Sequence, residues 1–221
     1  MKKYQVILFD LDGTLSDPKI GITKSVQYAL QKMGIDEPDI DKLECFIGPP
    51  LKVSFTEYYD FNEGNTQRAI DYYRERFKDK GMFENKLYSN ISLLLKSLKE
   101  QQYTLVVATS KPTVFSEQIL KYFNIDQYFD FVVGSNLDGT RTAKTEIIQY
   151  ILDKYNKYKL DDFIMIGDRK YDMIGAKNTG IDSIGVTYGY GSFEELSDSH
   201  PTHIVNSVEE IKDILIESKV E

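Results

Sequence analysis

The stretch Tyr4-Gln5-Val6-Ile7-Leu8-Phe9-Asp10-Leu11-Asp12-Gly13-Thr14 decides the fold. Six residues of nearly unbroken apolar and aromatic character end abruptly in acid. A run of that length and composition suits a central strand buried on both faces, as in a parallel sheet. Similar runs recur at Tyr103–Ala108, Phe131–Val133, Phe163–Ile166 and Ile184–Val186. Helical patterns fall between or after them at Thr113–Phe123, Ala143–Tyr155, Tyr171–Thr179 and Val208–Ile216. Strand alternating with helix predicts βαβ units and an α/β, doubly wound parallel sheet.

One interval breaks the rhythm. The first strand ends at Asp10 and the next begins near Tyr103, far more chain than one crossover helix requires. Ile22, Val26, Ala29, Leu30 and Met33 recur at helical spacing before Gly34, and Phe55, Tyr58, Tyr59, Ala69, Tyr72, Tyr73 and Phe77 continue the period. The expectation is an all-helical insert over residues 16–83, its aromatic stripe serving as helix core, within an α/β domain formed by 1–15 and 84–221.

Composition narrows the chemistry. The 221 residues carry 35 acidic against 27 basic side chains, a net charge of −8, and no basic run. Such a chain repels nucleic-acid polymers. A single cysteine, Cys45, excludes an internal disulfide and a Cys-rich metal site, and two histidines, His200 and His203, leave little for a histidine metal cluster. Both histidines flank Pro201 in a polar stretch and read as surface residues. Lys2-Lys3 opens like a signal peptide, but Asp10 interrupts the apolar run, and no stretch approaches a membrane span of ~20 residues. The expectation is a cytoplasmic protein without a membrane partner, whose chemistry comes from carboxylates, hydroxyls and lysines.

Those groups collect at strand ends. Asp10 and Asp12 follow the first strand; Asp168 follows Phe163–Ile166, with Asp172 one helical turn on. In open parallel sheets ligands bind at the carboxyl ends of strands, so neighbouring strands would bring these acids together. Two like charges at 4 Å repel by about 4 kcal/mol at an effective dielectric of 20, and a cluster calls for a cation. Oxygen ligands without His or Cys favour magnesium over zinc. A lone Asp at such a position is ordinarily a turn or helix cap, but capping needs one carboxylate, not the Asp10–Asp12 pair. Thr109-Ser110-Lys111-Pro112 offers hydroxyls and amides at a helix start, and Lys144 follows the loop after the third strand. An acidic magnesium nest beside a hydroxyl and a lysine describes a phosphoryl site.

With those residues in view, the chain resembles the haloacid dehalogenase-like hydrolase superfamily, in its phosphoglycolate phosphatase-like subgroup. Four motifs appear in order: Asp10-Leu11-Asp12-Gly13-Thr14-Leu15, Thr109, Lys144, and Gly167-Asp168-Arg169-Lys170-Tyr171-Asp172. The insert resembles that subgroup's small helical cap, Phe46-Ile47-Gly48-Pro49-Pro50-Leu51 a cap segment, and Gly189-Tyr190-Gly191 a C-terminal loop.

The resemblance implies that Asp10 attacks phosphorus to form an aspartyl-phosphate while Asp12 protonates the leaving oxygen and later activates water. Mg2+ would be held by Asp10, the Asp12 carbonyl and Asp168, supported by Asp172. Thr109, Lys144 and the amides of Leu11 and Ser110 would hold the phosphate. Asp12 argues against dehalogenation, and the absence of a histidine from the insert argues against the mutase branch. The expected activity is hydrolysis of a small phosphorylated metabolite, phosphoglycolate first, with a nucleoside monophosphate or pyrophosphate as alternatives and a phosphoacceptor or phosphate-binding protein as the non-enzyme reading. A monomer or small homo-oligomer is expected, and the insertion by itself suggests hinges near Ser16–Pro18 and Glu84–Leu87, where the insert joins the sheet domain. Arg141 is a candidate for substrate contact, and Arg169 and Lys170 are expected to face solvent or the domain seam.

Overall fold

The computed structural model describes residues 4–217, which divide into two compact units: residues up to Ser16 with those from Leu87 onward, and Asp17–Lys86. The chain leaves the first unit along a short strand, β2 (Ser16–Asp17), and returns along β3 (Lys86–Leu87).

In the first unit, six described strands form one parallel sheet around β1 (Val6–Phe9), whose four residues are fully buried. β1 lies between β4 (Thr104–Pro112) and β6 (Phe163–Gly167), pairing Phe9 with Val107 on one side and with Ile166 on the other. β5 (Phe131–Ser135) extends the sheet beyond β4, while β7 (Asp182–Val186) and β8 (His203–Val205) extend it beyond β6. The chain therefore winds outward in both directions from β1, as the α/β pattern predicts. The acids of both motifs sit at the carboxyl ends of adjacent strands.

Side-chain alternation gives each sheet face its own core. Val6 and Leu8 join Val106, Ala108, Phe163 and Met165 beneath Ile147, Ile148 and Ile151 of α6 (Lys144–Lys154) and Ala176 of α7 (Lys170–Thr179). On the other face the Phe9 ring meets Phe129 edge-on at 6.2 Å. Two of the elements outside the expected pattern shape this unit. α4 (Ile91–Glu100) buries Ile91, Leu94, Leu95 and Leu98 at helical spacing, and β8 places His203 in an edge strand opposite Ile184. His203 is thus partly buried in the sheet rather than a residue of an irregular polar surface.

In the second unit, α1 (Lys19–Lys32) packs on α3 (Glu63–Asp79), with α2 (Leu51–Tyr59) alongside α3. Ile22, Val26, Ala29 and Leu30 of α1 are buried, as are Ala69, Tyr73 and Phe77 of α3. Asn62 starts α3 by accepting the Asn65 N–H at 2.9 Å, satisfying a donor the helix leaves open. Phe46 and Phe55 pack edge-on at 4.9 Å, but Tyr58, expected in the stripe, is 52% exposed. α2 is short and half-exposed, so only its Ser54–Phe55 side is buried. Arg76 of α3 clamps Glu84 through two bonds of 2.8 and 3.0 Å and donates to the Ser25 hydroxyl at 3.2 Å.

Candidate active site

The first motif leaves β1 in a turn in which the Leu11 carbonyl accepts the amides of Leu15 and Ser16 at 2.9 and 3.1 Å. Gly13 makes the turn possible at φ +80°, a conformation that side chains with a Cβ rarely adopt. Through it, Asp10 and Asp12 are both buried at the end of the strand.

Lys144, the first residue of α6, reaches this turn. Its ammonium lies 3.0 Å from Asp10 Oδ1 and 2.7 Å from Asp172 Oδ1, and donates to the Ala108 carbonyl at 2.8 Å. The Leu11 N–H also donates to Asp10 Oδ1, at 2.8 Å, so that oxygen is fixed from two sides. Burial alone would lower the Lys144 pKa, but Asp10 and Asp172 outweigh it and hold it above the ordinary lysine value.

Asp168 is completely buried. Its Oδ2 accepts the Tyr190 N–H at 2.8 Å, and the Thr14 hydroxyl stands 3.5 Å from its Oδ1. Glycines make room for it: a Cβ on Gly189 would sit 2.4 Å from the Asp168 Cβ, and one on Gly191 would sit 2.0 Å from its carbonyl oxygen. Tyr188 in the same loop donates its hydroxyl to the Thr14 carbonyl at 3.0 Å. Burial, then the charges of Asp172 and Asp10, pushes the Asp168 pKa well above the carboxylate range. Burial likewise raises Asp172, with Lys144 opposing.

Among the described residues, Asp10, Asp168 and Asp172 form an acidic cluster whose offered oxygens all lie within 4.8 Å of one another. The Asp12 carboxylate lies apart from that set, its Oδ2 held by the Lys111 ammonium at 2.8 Å. Burial raises the Asp12 pKa, and Lys111 offsets part of that rise. Once all are ionised, the four buried carboxylates against two ammoniums leave two negative charges, the complement of one divalent cation. The donor set is all oxygen, which fits a hard ion such as magnesium.

The second motif lies where β4 changes register against β5, between Ala108 and Pro112. Thr109 is buried, and its hydroxyl accepts the Lys111 N–H at 3.2 Å; Ser110 donates its hydroxyl to the Thr142 carbonyl at 3.2 Å. Arg141 turns elsewhere. It donates to the Gly134 carbonyl at 3.0 Å and to Asn136 Oδ1 at 3.2 Å, and its guanidinium lies over the Tyr150 ring. Arg169 does not simply face solvent: its Nε bonds Glu195 of α8 (Phe193–Asp198) at 2.8 Å. Lys111, quoted only within the Thr109–Pro112 segment, and Tyr188 are given no role by the sequence. The signal for Lys111 was its place in the Thr109–Pro112 segment, one residue beyond the hydroxyls.

A sheet wound outward from β1, with acids at its switch point and a buried lysine between them, is the arrangement of an α/β protein that handles phosphoryl groups. Comparison with known proteins agrees. The sequence model of the haloacid dehalogenase-like hydrolases matches residues 7–186, and the chain belongs to that family as a phosphatase-type enzyme. It is 47% identical over 213 residues to a 5'-nucleotidase of Pseudomonas aeruginosa, covering 96% of each chain. It is 28% identical to a phosphoglycolate phosphatase of Vibrio parahaemolyticus, again over 96% of each. The crystal structure of a predicted phosphatase from Clostridium acetobutylicum superposes with a TM-score of 0.94 at 56% identity, covering 97% of this chain and 99% of that one.

Proposed function

We propose that the chain is a magnesium-dependent phosphatase that hydrolyses a small phosphate monoester through an aspartyl-phosphate on Asp10. The observation that carries this reading is the buried Lys144 ammonium bridging Asp10 and Asp172 beside a second, separate Asp12–Lys111 pair. Two carboxylates in different surroundings suit two different roles, nucleophile and acid–base.

Asp10 attacks phosphorus as the bond to the leaving oxygen breaks, and Asp12 supplies the proton that oxygen takes up. Asp12 then removes a proton from the water that displaces Asp10 from phosphorus. Lys144 sets a positive charge 3.0 Å from Asp10 and, with Thr109 and the amides of Leu11 and Ser110, receives the phosphate oxygens. Asp10, Asp168 and the Asp12 carbonyl would hold magnesium, with Asp172 supporting them. When bound, the ion neutralises charge on the transferring phosphoryl group. The helical unit, Asp17–Lys86, is the part of the chain that resembles the family's cap.

The 47% identical 5'-nucleotidase favours a nucleoside monophosphate as the substrate; the phosphoglycolate phosphatase relative at 28% supports phosphoglycolate as the second reading. Phosphate release from a panel of nucleoside 5'-monophosphates, phosphoglycolate, sugar phosphates and pyrophosphate, with magnesium or chelator, tests this. Highest kcat/KM with a nucleotide is expected. Highest kcat/KM with phosphoglycolate would overturn the nucleotide assignment.

A further inference from the structure

Neither side chain of the Lys111–Asp12 pair is among the groups assigned to the phosphate or the metal, yet both are almost wholly buried, 6% and 10% exposed. Burying an ion pair carries a desolvation cost, so the fold retains it against a penalty.

The backbone is built to deliver Lys111. Where β4 slips register against β5, the Thr109–Lys111 segment bulges from the ladder, a device that re-aims a side chain. Gly134 of β5 lets the bulge lie close, since a Cβ there would sit 2.1 Å from the Lys111 carbonyl oxygen. The Thr109 hydroxyl accepts the Lys111 N–H at 3.2 Å, and Pro112 fixes the exit.

What the pair does follows from its two oxygens. Asp12 Oδ2 accepts from the ammonium at 2.8 Å, whereas Oδ1 is buried and has no hydrogen-bond partner among the described residues. A lysine ammonium has only donors, so an oxygen facing it cannot also present a proton toward it. An ammonium on Oδ2 favours the ionised oxygen there, and Oδ1 is the oxygen left open to take and give the proton.

We propose that Lys111 is a positioning residue for the acid–base step: by occupying Asp12 Oδ2 it makes Oδ1 the oxygen that exchanges the proton with the leaving group. This rests on the acid–base role given to Asp12 above. In the first step Asp10 bonds to phosphorus, the ester P–O bond breaks with its electron pair going to the leaving oxygen, and that oxygen takes the proton from Oδ1. In the second, water bonds to phosphorus, the Asp10–phosphorus bond breaks, and the water proton goes to Oδ1.

The test compares kcat/KM for an alkyl ester, adenosine 5'-monophosphate or phosphoglycolate, with kcat/KM for p-nitrophenyl phosphate, whose leaving group departs as a stable anion. This parameter reports the step that releases the alcohol. Lys111→Met should lower the alkyl value about 100-fold, the low end of general acid contributions. The aryl value should fall less than about 10-fold, and inhibition by inorganic phosphate should be unchanged. In an Asp12→Asn background Lys111→Met should have almost no further effect. Lys111→Gln serves the same comparison if the methionine variant folds poorly. Equal losses on both esters, weakened phosphate inhibition, or a full further loss in the Asp12→Asn background would overturn the proposal. Failure of Asp12→Asn itself to separate the two esters would instead overturn the acid–base role of Asp12.

Discussion

Gly13 and Asp168 are packed so closely that a Cβ on the glycine would lie 2.1 Å from Asp168 Oδ2. The turn after β1 and the carboxylate after β6 are therefore one interlocked unit. The glycine is needed twice, for φ +80° and for the missing side chain.

Gly13→Ala should be severe. The left-handed backbone costs about 1–2 kcal/mol for a residue with a Cβ, and overpacking adds about 1–3 kcal/mol. Chemical denaturation should show a loss of about 2–5 kcal/mol together with loss of turnover. Gly139 also has positive φ but has nothing within 4 Å of its Cβ position, so Gly139→Ala should carry the backbone penalty alone.

Lys144→Met removes the cation from a buried cluster and leaves Asp10 and Asp172 facing each other. Breaking a buried pair in this way costs about 3–5 kcal/mol. The stability loss should appear without substrate, accompanied by at least a 100-fold fall in turnover; a loss of activity with unchanged stability would mean that Lys144 is not the cluster's counter-ion.

Magnesium should stabilise the protein, because it supplies the two positive charges that the buried residues lack. At 100 times its Kd the expected gain is about 2.7 kcal/mol, read as a rise in Tm that chelator reverses. Asp168→Asn should abolish the rise. It should leave the metal-free Tm equal or higher, since an amide in that buried place needs no counter-charge.

In the helical unit, the Arg76 guanidinium bonded to Glu84 holds the Glu84 pKa below its ordinary 4.5. A depressed folded value means the pair's contribution is complete above the unfolded pKa and disappears as pH falls through the folded one. At neutral pH Glu84→Gln should cost about 1 kcal/mol, reduced by partial exposure. The gap between wild type and variant should narrow below pH 4.5. A gap independent of pH would show that packing, not charge, sets the effect.

Much of this was legible in the amino-acid order, for physical reasons. β1, β4, β6 and β7 are mostly buried on both faces and β5 over its last three residues, so each writes itself as an apolar run, and Asp10 and Asp168 mark the run ends by contrast. α4 carries Ile91, Leu94, Leu95 and Leu98 at helical spacing, but in only 10 residues between the helical insert and the β4 run its pattern is brief. β8 is a three-residue edge strand containing His203, too short and too polar for a pattern. Lys111 was named but not used. Its meeting with Asp12 depends on a register slip between β4 and β5, and a bulge has no sequence period. Tyr58 misled because α2 buries only one narrow side.

The most direct test of the account is phosphate release by Asp10→Asn beside wild type, each assayed on the best substrate with magnesium and with chelator. The account predicts turnover in wild type only with magnesium, and none above background in the variant although it remains folded. Turnover that survives in Asp10→Asn would contradict the assignment of Asp10 as the group that takes the phosphoryl.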